Sequence, residues 1–168
     1  MLMLNILLTR NHAIFVLLSV ILVSTVSASS HMATAKNTSA PSTYAVTSAI
    51  ATIKSTSGGS LNVVLQPTPD PVVKGTQTNL KLIFDQKGSS VVQSHIEYDV
   101  TISNAGKQLF QATTVAGHPG QPLHTSEGIV TIPYTFEEPG SYSVKVTVFG
   151  ILFNPINPES AQFQVNVA

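Results

Sequence analysis

The sequence predicts an all-β domain in which two antiparallel sheets pack face to face. From Leu61 onward, apolar and polar residues alternate with a period of two, as in strands that have one buried face. Turn residues separate these segments at intervals of roughly 8 to 15 residues, which is typical of sandwiches, and no helical period interrupts them. The 168 residues suffice for one such domain and additional segments.

Seven segments carry the strand pattern. They are LNVVL at 61–65, NLKLIFD at 79–85, HIEYDVTIS at 95–103, KQLFQATT at 107–114, IVTIPYTF at 129–136, SYSVKVTVF at 141–149 and AQFQVNV at 161–167. Alternation assigns one face of each segment to the core. The expected inward residues are Leu61, Val63, Leu65, Leu80, Leu82, Phe84, Ile96, Tyr98, Val100, Ile102, Val130, Ile132, Tyr134, Phe136, Tyr142, Val144, Val146, Val148, Phe163, Val165 and Val167.

Three local signals refine this prediction. The sequence Asn104-Ala105-Gly106 suits a hairpin turn. Pro133 has no N–H to donate, so its strand is expected at a sheet edge or at a break in the ladder. The sequence EEPGSY at 137–142 is typical of the tyrosine corner of immunoglobulin-like sandwiches. We therefore predict a seven-stranded antiparallel Ig-like β-sandwich over residues 60–168.

The N-terminal segment predicts export. Arg10 is its only charge, an apolar run follows at 13–23, and Val26-Ser27-Ala28 suits cleavage, so residues 1–28 are expected to be a signal peptide. The alternative is an uncleaved membrane anchor, although this apolar run is shorter than the ~20 residues of a spanning helix. In either case the rest of the chain is expected outside the cytoplasm. Cleavage after Ser30 instead would make His31 a new N-terminus that offers an amine and an imidazole to copper.

Residues 29–59 are rich in Ser, Thr and Ala, which predicts a flexible stalk without a core of its own. Asn37 begins a glycosylation sequon. Within the stalk, TYAVTSAIATI at 43–53 is β-prone and is expected to need a pairing partner.

The composition excludes several functions. Charged residues make up 10% of the chain and the formal net charge is zero, so no basic face is present to bind nucleic acid. The absence of cysteine excludes disulfides and thiolate metal sites. The motifs of hydrolases, zinc proteases and phosphate-binding loops are missing, and the adjacent Glu137 and Glu138 are expected to diverge on a turn. These features predict a protein that is not an enzyme.

Histidines and carboxylates suggest a metal site. His95, Glu97 and Asp99 are expected on the outward face of one strand, where residues i and i+2 lie ~6.5 Å apart. The loop VAGHPGQPLHTSEG at 115–128 adds His118 and His124, and its glycines would let it fold over that face. Imidazoles and a carboxylate suit Cu(II) or Zn(II), and we predict His95, His124, His118 and Glu97 as ligands. The alternative is a solvated polar face with a plain polar turn.

The stretch FGILFNPINPES at 149–160 has too many apolar residues for an ordinary solvent loop. It is expected either to cap the core or to form an exposed contact patch for a partner or a neighbouring subunit.

Five parts of the sequence carry a family resemblance. PTPDPVVKGTQTNLKL, HIEYDVTI, PLHTSEG, EEPGSYSVKVTVFGI and PINPESAQFQV resemble small exported Ig-like proteins of ammonia-oxidising archaea and, more distantly, the CopC/YtkA-like exported sandwiches. The resemblance covers residues 61–167 and implies an Ig-like fold and copper binding. The chain departs from that group because only Met32 remains after signal cleavage, which disfavours a soft Cu(I) site.

These observations leave two functional hypotheses. The first is an exported binding module that holds copper or zinc. The second is a structural thread or pilus subunit, in which residues 43–53 of one copy add a strand to the sheet edge of the next, with residues 149–160 as a further contact.

Overall fold

The computed structural model describes residues 50–168, which form an all-β sandwich of two antiparallel sheets. Among these residues there are nine strands and one helical turn. The strands are β1 (Thr52–Ser55), β2 (Leu61–Thr68), β3 (Gln77–Gln86), β4 (Ile96–Asn104), β5 (Lys107–Gln111), β6 (Leu123–Thr125), β7 (Ile129–Thr135), β8 (Gly140–Ile151) and β9 (Asn154–Val167), and the helical turn is α1 (Ala112–Val115).

The strand order places β4 and β8 at the centre of the second sheet. The first sheet has the order β1-β2-β3-β7, and the second has the order β5-β4-β8-β9. One edge of β4 pairs with β8 along its whole length, and the other edge is shared by β5 and β6. The β7 strand, which contains Pro133, lies at an edge of the first sheet, as predicted.

The core consists of the residues that alternation assigned to the inward faces. All of them are buried except Val130 and Tyr134, which are half-buried and pack against the core. Val72 and Ala161 also belong to the core. Period-two patterning identifies the core here because each strand has one buried and one solvated face.

A tyrosine corner closes the turn before β8, as predicted. The Tyr142 hydroxyl donates a hydrogen bond of 2.8 Å to the carbonyl oxygen of Glu138. The Tyr142 ring packs edge-on against Phe136, with ring centroids 4.8 Å apart. The turn is therefore held by a hydrogen bond at one end of this side chain and by aromatic packing along its length.

The strand count differs from the prediction of seven in two places. The first additional strand is β1, which pairs with β2 although its residues were assigned to the stalk. The second is β6, a three-residue strand in a segment predicted as loop. Residues 112–114 form the helical turn α1 rather than the end of a strand. The β-prone segment at 43–53 includes the first two residues of β1, but propensity marked neither the rest of β1 nor β6, because tertiary pairing decides such short segments.

Residues 1–49 lie outside the described part of the chain. The predicted signal peptide or anchor, most of the stalk, the sequon at Asn37 and most of the β-prone segment at 43–53 fall there. Between residues 50 and 168, no helix has the length and apolar character to cross a membrane.

A carboxylate clasp joins the β1–β2 turn to β9 across the two sheets. Glu159 accepts hydrogen bonds from the Thr56 hydroxyl at 2.5 Å, the Ser60 hydroxyl at 2.6 Å and the Ser60 N–H at 3.1 Å. Its carboxylate lies directly against Gly58, where a Cβ atom would clash with it. The hydrogen bonds from Ser60 and Thr56 lower the pKa of Glu159.

We expect Glu159→Gln to lower the free energy of unfolding by about 1 kcal/mol at neutral pH, because the hydrogen bonds to a charged acceptor are lost at a partly solvated site. A lowered folded-state pKa means that the carboxylate stabilises the fold above its unfolded pKa, and that this stabilisation disappears as the pH falls through the folded pKa. Urea denaturation of both proteins from neutral to acidic pH measures the effect, with the exposed Glu127→Gln as control. If the free energies of unfolding of the unsubstituted protein and of Glu159→Gln differed by the same amount in acid as at neutral pH, this account would be contradicted.

Candidate metal site

Two histidines and a phenylalanine form a cluster at the end of β4 where β6 and the β8–β9 turn meet. The rings of His95 and His124 have centroids 5.5 Å apart. The Phe153 ring stacks on His124 at 5.3 Å with an angle of 16° between the planes, and its centroid lies 4.4 Å from that of His95. His95 is half-buried, whereas His124 and Phe153 are exposed. We call these three residues the histidine cluster.

Strand pairing positions each member of the cluster. β6 pairs with the first residues of β4, and this pairing places His124 directly opposite Glu97. β8 and β9 are joined by a two-residue turn, Leu152-Phe153, at the same end of the sheet. The Leu152 N–H donates a hydrogen bond of 2.8 Å to the His95 carbonyl oxygen, which ties this turn to the residue preceding β4.

The backbone of the cluster is strained. Of the four non-glycine residues with positive φ in the described chain, three lie here: His95 at 53°, Leu152 at 52° and Phe153 at 63°. Positive φ at both central residues is the geometry of a type I′ turn, which favours Asn-Gly, and bulky residues adopt it at a cost. Strain of this kind persists only where the surroundings enforce it, and it concentrates at functional sites.

The two histidines present nitrogens to each other. His95 Nδ1 and His124 Nε2 are 3.4 Å apart, a distance at which one nitrogen donates a hydrogen bond to the other. Two nitrogens with this 3.4 Å separation, each ~2.0–2.1 Å from a shared ion, would subtend about 110° at the ion. That angle is close to tetrahedral, so small rotations of the two rings would convert the hydrogen-bonded pair into a pair of ligands.

Glu97 lies beside the cluster without completing it. Directly opposite residues in an antiparallel pair have their side chains on the same face, so Glu97 shares a face with His124. However, its carboxylate packs over Gly150 of β8, where an added Cβ would come within 2.6 Å of Oε2. Because Gly150 has no side chain, the Glu97 carboxylate has room to lie flat against the sheet.

The predicted four-ligand set is not assembled. Among residues 50–168, no group of three His, Asp or Glu side chains is positioned to hold a metal ion. His118 is exposed in the turn after α1, where its N–H donates to the Thr113 carbonyl oxygen at 2.8 Å. The loop thus forms its own local hydrogen bonds instead of folding over the face of β4 as expected, and the structure brings together two of the four predicted residues.

Asp99 was expected on the outward face but is buried and has a structural role. Its carboxylate accepts hydrogen bonds from the Thr113 N–H at 3.1 Å, the Thr113 hydroxyl at 3.2 Å and the Gln111 side-chain amide at 2.7 Å. These bonds anchor α1 at its first turn.

Burial, and to a smaller extent the Asp99 carboxylate, raise the pKa of the neighbouring Tyr98.

The stretch at 149–160 forms neither a loop nor a simple cap. It is the end of β8, the tight turn and the start of β9, with Ile156 packed against the core. The turn itself is exposed: Leu152 retains 49% and Phe153 retains 66% of their accessible surface. Ile156 therefore helps to cap the core and the tip presents an exposed apolar surface, while a contact with a partner or a neighbouring subunit stays a prediction.

Sequence reasoning missed two features. The first is that Phe153 belongs to the histidine cluster. The available sign of it was the unusual presence of two bulky residues, Leu152 and Phe153, in a two-residue turn. The second feature is a groove of about 450 Å³ between β5, β7 and the β7–β8 turn, lined partly by Leu109, Tyr134, Glu137 and Glu138. Burial, followed by Tyr142 and Glu137, raises the pKa of Tyr134 there.

Comparison of the chain with protein-family models, with curated proteins and with solved structures gives no match.

We expect Asp99→Ala to lower the free energy of unfolding by about 3 kcal/mol, because it leaves the buried Thr113 N–H and hydroxyl without acceptors. Urea denaturation measures this, with Glu97→Ala as the control that removes a carboxylate from the same strand. Unchanged stability together with loss of metal binding would instead identify Asp99 as a ligand.

We expect the double substitution Leu152→Asn/Phe153→Gly to raise the free energy of unfolding by about 1–2 kcal/mol, because Asn-Gly adopts positive φ with less strain. Thermal unfolding followed by circular dichroism measures the change. The substitution Asn104→Asp beside the Ala105-Gly106 turn is the control. A drop in stability would show that the stacking of Phe153 on the histidines outweighs the strain.

Proposed function

We propose that this protein is an exported, non-catalytic β-sandwich module that binds copper or zinc through His95 and His124. The observation that carries the proposal is the 3.4 Å separation of His95 Nδ1 and His124 Nε2 on a strained, exposed end of the sheet. Export rests on the N-terminal pattern at residues 1–28.

The donor type supports a divalent transition metal. Imidazole suits Zn(II) and Cu(II), whereas Cu(I) prefers thiolate and thioether sulfur. The chain contains no cysteine, and its three methionines all precede residue 33. The end of the sandwich that holds the histidine cluster therefore offers nitrogen and carboxylate oxygen, with no sulfur.

Stacking favours a preorganised pair of ligands. Phe153 contacts both imidazoles, and the Leu152–His95 backbone hydrogen bond holds the turn beside them. An imidazole held in place by packing loses less rotamer freedom when it binds an ion. Glu97, opposite His124, places a carboxylate beside the site, and a rotamer change away from Gly150 would be needed for it to reach the ion.

The second candidate function is that of a structural subunit assembling by strand addition. The relevant observation is that Thr52 and Ile53, the last residues of the β-prone segment, already pair with Leu65 and Val64 of the same chain. In a strand exchange, β1 of a neighbouring copy would take the place of this chain's own β1 beside β2. Domain swapping proceeds in this way. β1 is a short exposed edge strand that contributes few contacts, so it is the element best suited to exchange.

Calorimetric titration of the full chain with Zn(II) and Cu(II) tests the metal proposal. We expect the protein to bind the metal stoichiometrically. The affinity for the metal should fall at least tenfold in His124→Ala and in His95→Asn, since each variant lacks one of the two imidazoles. Asn is the appropriate replacement at position 95 because it adopts the positive φ of that residue with less strain than Ala.

Two controls separate this site from other histidines. His118→Ala removes an exposed imidazole outside the histidine cluster and should leave binding unchanged. His31→Ala removes the imidazole that N-terminal processing would expose. Zinc binding that disappears with His31 or His118, and not with His124, would overturn the proposal.

A further inference from the structure

We infer that the metal site is shared between two copies of this chain, each of which contributes His95 and His124 to one four-imidazole site. The inference rests on the proposed function and deepens it, since it identifies the partner of the site as a second copy. Its starting point is that one chain supplies two converging nitrogens, and that no third acidic or histidine ligand is in place within residues 50–168.

The number of ligands points to a partner. Structural zinc sites take four protein ligands in a tetrahedron, and catalytic zinc sites take three. Two imidazoles that subtend nearly the tetrahedral angle at an ion leave the other two vertices directed away from the chain. A second identical pair, related by a two-fold axis through the ion, fills those two vertices without any rearrangement of strands.

The surface around the histidines suits a self-complementary contact. His124 is exposed, and Leu152 and Phe153 form an apolar tip beside it at the end of the hairpin. In a two-fold interface the same patch meets itself, so an apolar tip next to a metal at the axis is covered by the equivalent tip of the other copy. Bulky apolar side chains occupy two strained positions where polar or glycine residues would fit better, which is consistent with a contact surface.

Charge also favours this arrangement. Four neutral imidazoles leave the two positive charges of the ion uncompensated. Glu97 lies directly across the strand pair from His124, so two copies bring two carboxylates to the rim of the shared site. The two carboxylates balance the charge of the ion without needing to coordinate it.

The interface is expected to require the metal. Each copy contributes only a hairpin tip and a pair of imidazoles, which is a small area compared with that of a stable dimer. The protein should therefore be monomeric in a chelator and dimeric with half an equivalent of Zn(II). Zinc in excess should return the protein to monomers, each carrying its own ion.

Sedimentation velocity of the full chain across a Zn(II) titration tests the inference, with EDTA as the metal-free reference. We expect a dimer that is maximal at one zinc per two chains. Co(II) in place of zinc should give the intense visible absorption of a tetrahedral site at the same stoichiometry.

Two variants keep the test independent of folding. Phe153→Gly suits the positive φ of the turn, so it should remain folded while the metal-dependent dimer weakens about tenfold or more through loss of the buried ring. His124→Ala should abolish the dimer, and His118→Ala should leave it unchanged.

Each outcome bears on the inference. A protein that stays monomeric throughout the titration, including at one zinc per two chains, and binds one zinc per chain would overturn the shared site and leave the proposed function standing. Absence of zinc binding would overturn both. A dimer that persists in EDTA, or in the chain carrying His95→Asn and His124→Ala together, would show that another surface joins the copies and would also overturn the inference.

Discussion

The hydrogen bonding of the Asp99 carboxylate is the constraint on which the end of the sandwich that carries the histidine cluster depends. Asp99 holds Thr113, and so α1, against β4 where β5 ends. With its first part anchored, the chain that follows returns to the same edge of β4 as β6, and this pairing sets His124 opposite Glu97. A buried carboxylate thus anchors the start of the segment that leads to the exposed His124. Its charge is offset locally by three donors in addition to the backbone N–H of the next residue.

The β8–β9 turn shows how strand pairing and local strain position the aromatic ring of the histidine cluster. Long antiparallel pairing between β8 and β9 forces a two-residue turn at Leu152-Phe153, whatever residues occupy it. The ladder supplies the energy that holds both residues at positive φ, and the result is an aromatic ring over two imidazoles. The turn is strained, and the surface that it forms combines an apolar tip with two adjacent imidazoles.

Metal binding and self-association are coupled if they use the same surface. An ion that bridges two copies binds more tightly when the hairpin tips also meet, and the tips meet only when the ion is present. Such a module responds to the ratio of metal to protein rather than to metal alone. The clasp formed by Glu159 lies on a different part of β9, so the anchoring of β1 is a separate property of the fold.

The sequence by itself determined the class of fold, the core and the tyrosine corner. Alternation assigns a residue to a face whatever strand it pairs with, so the inward residues followed from local pattern alone, and Tyr142 was recognisable from the turn that precedes it. Only the tertiary structure decided the short strands β1 and β6, the burial of Asp99 and the separation of His118 from His95. Those features depend on which edge of β4 the chain returns to, and a hydrogen bond between residues distant in sequence leaves no periodic signal. Two of the four predicted ligands, His95 and His124, lie together for the same reason: one-dimensional spacing identifies residues that share a face, and pairing alone decides which of them meet.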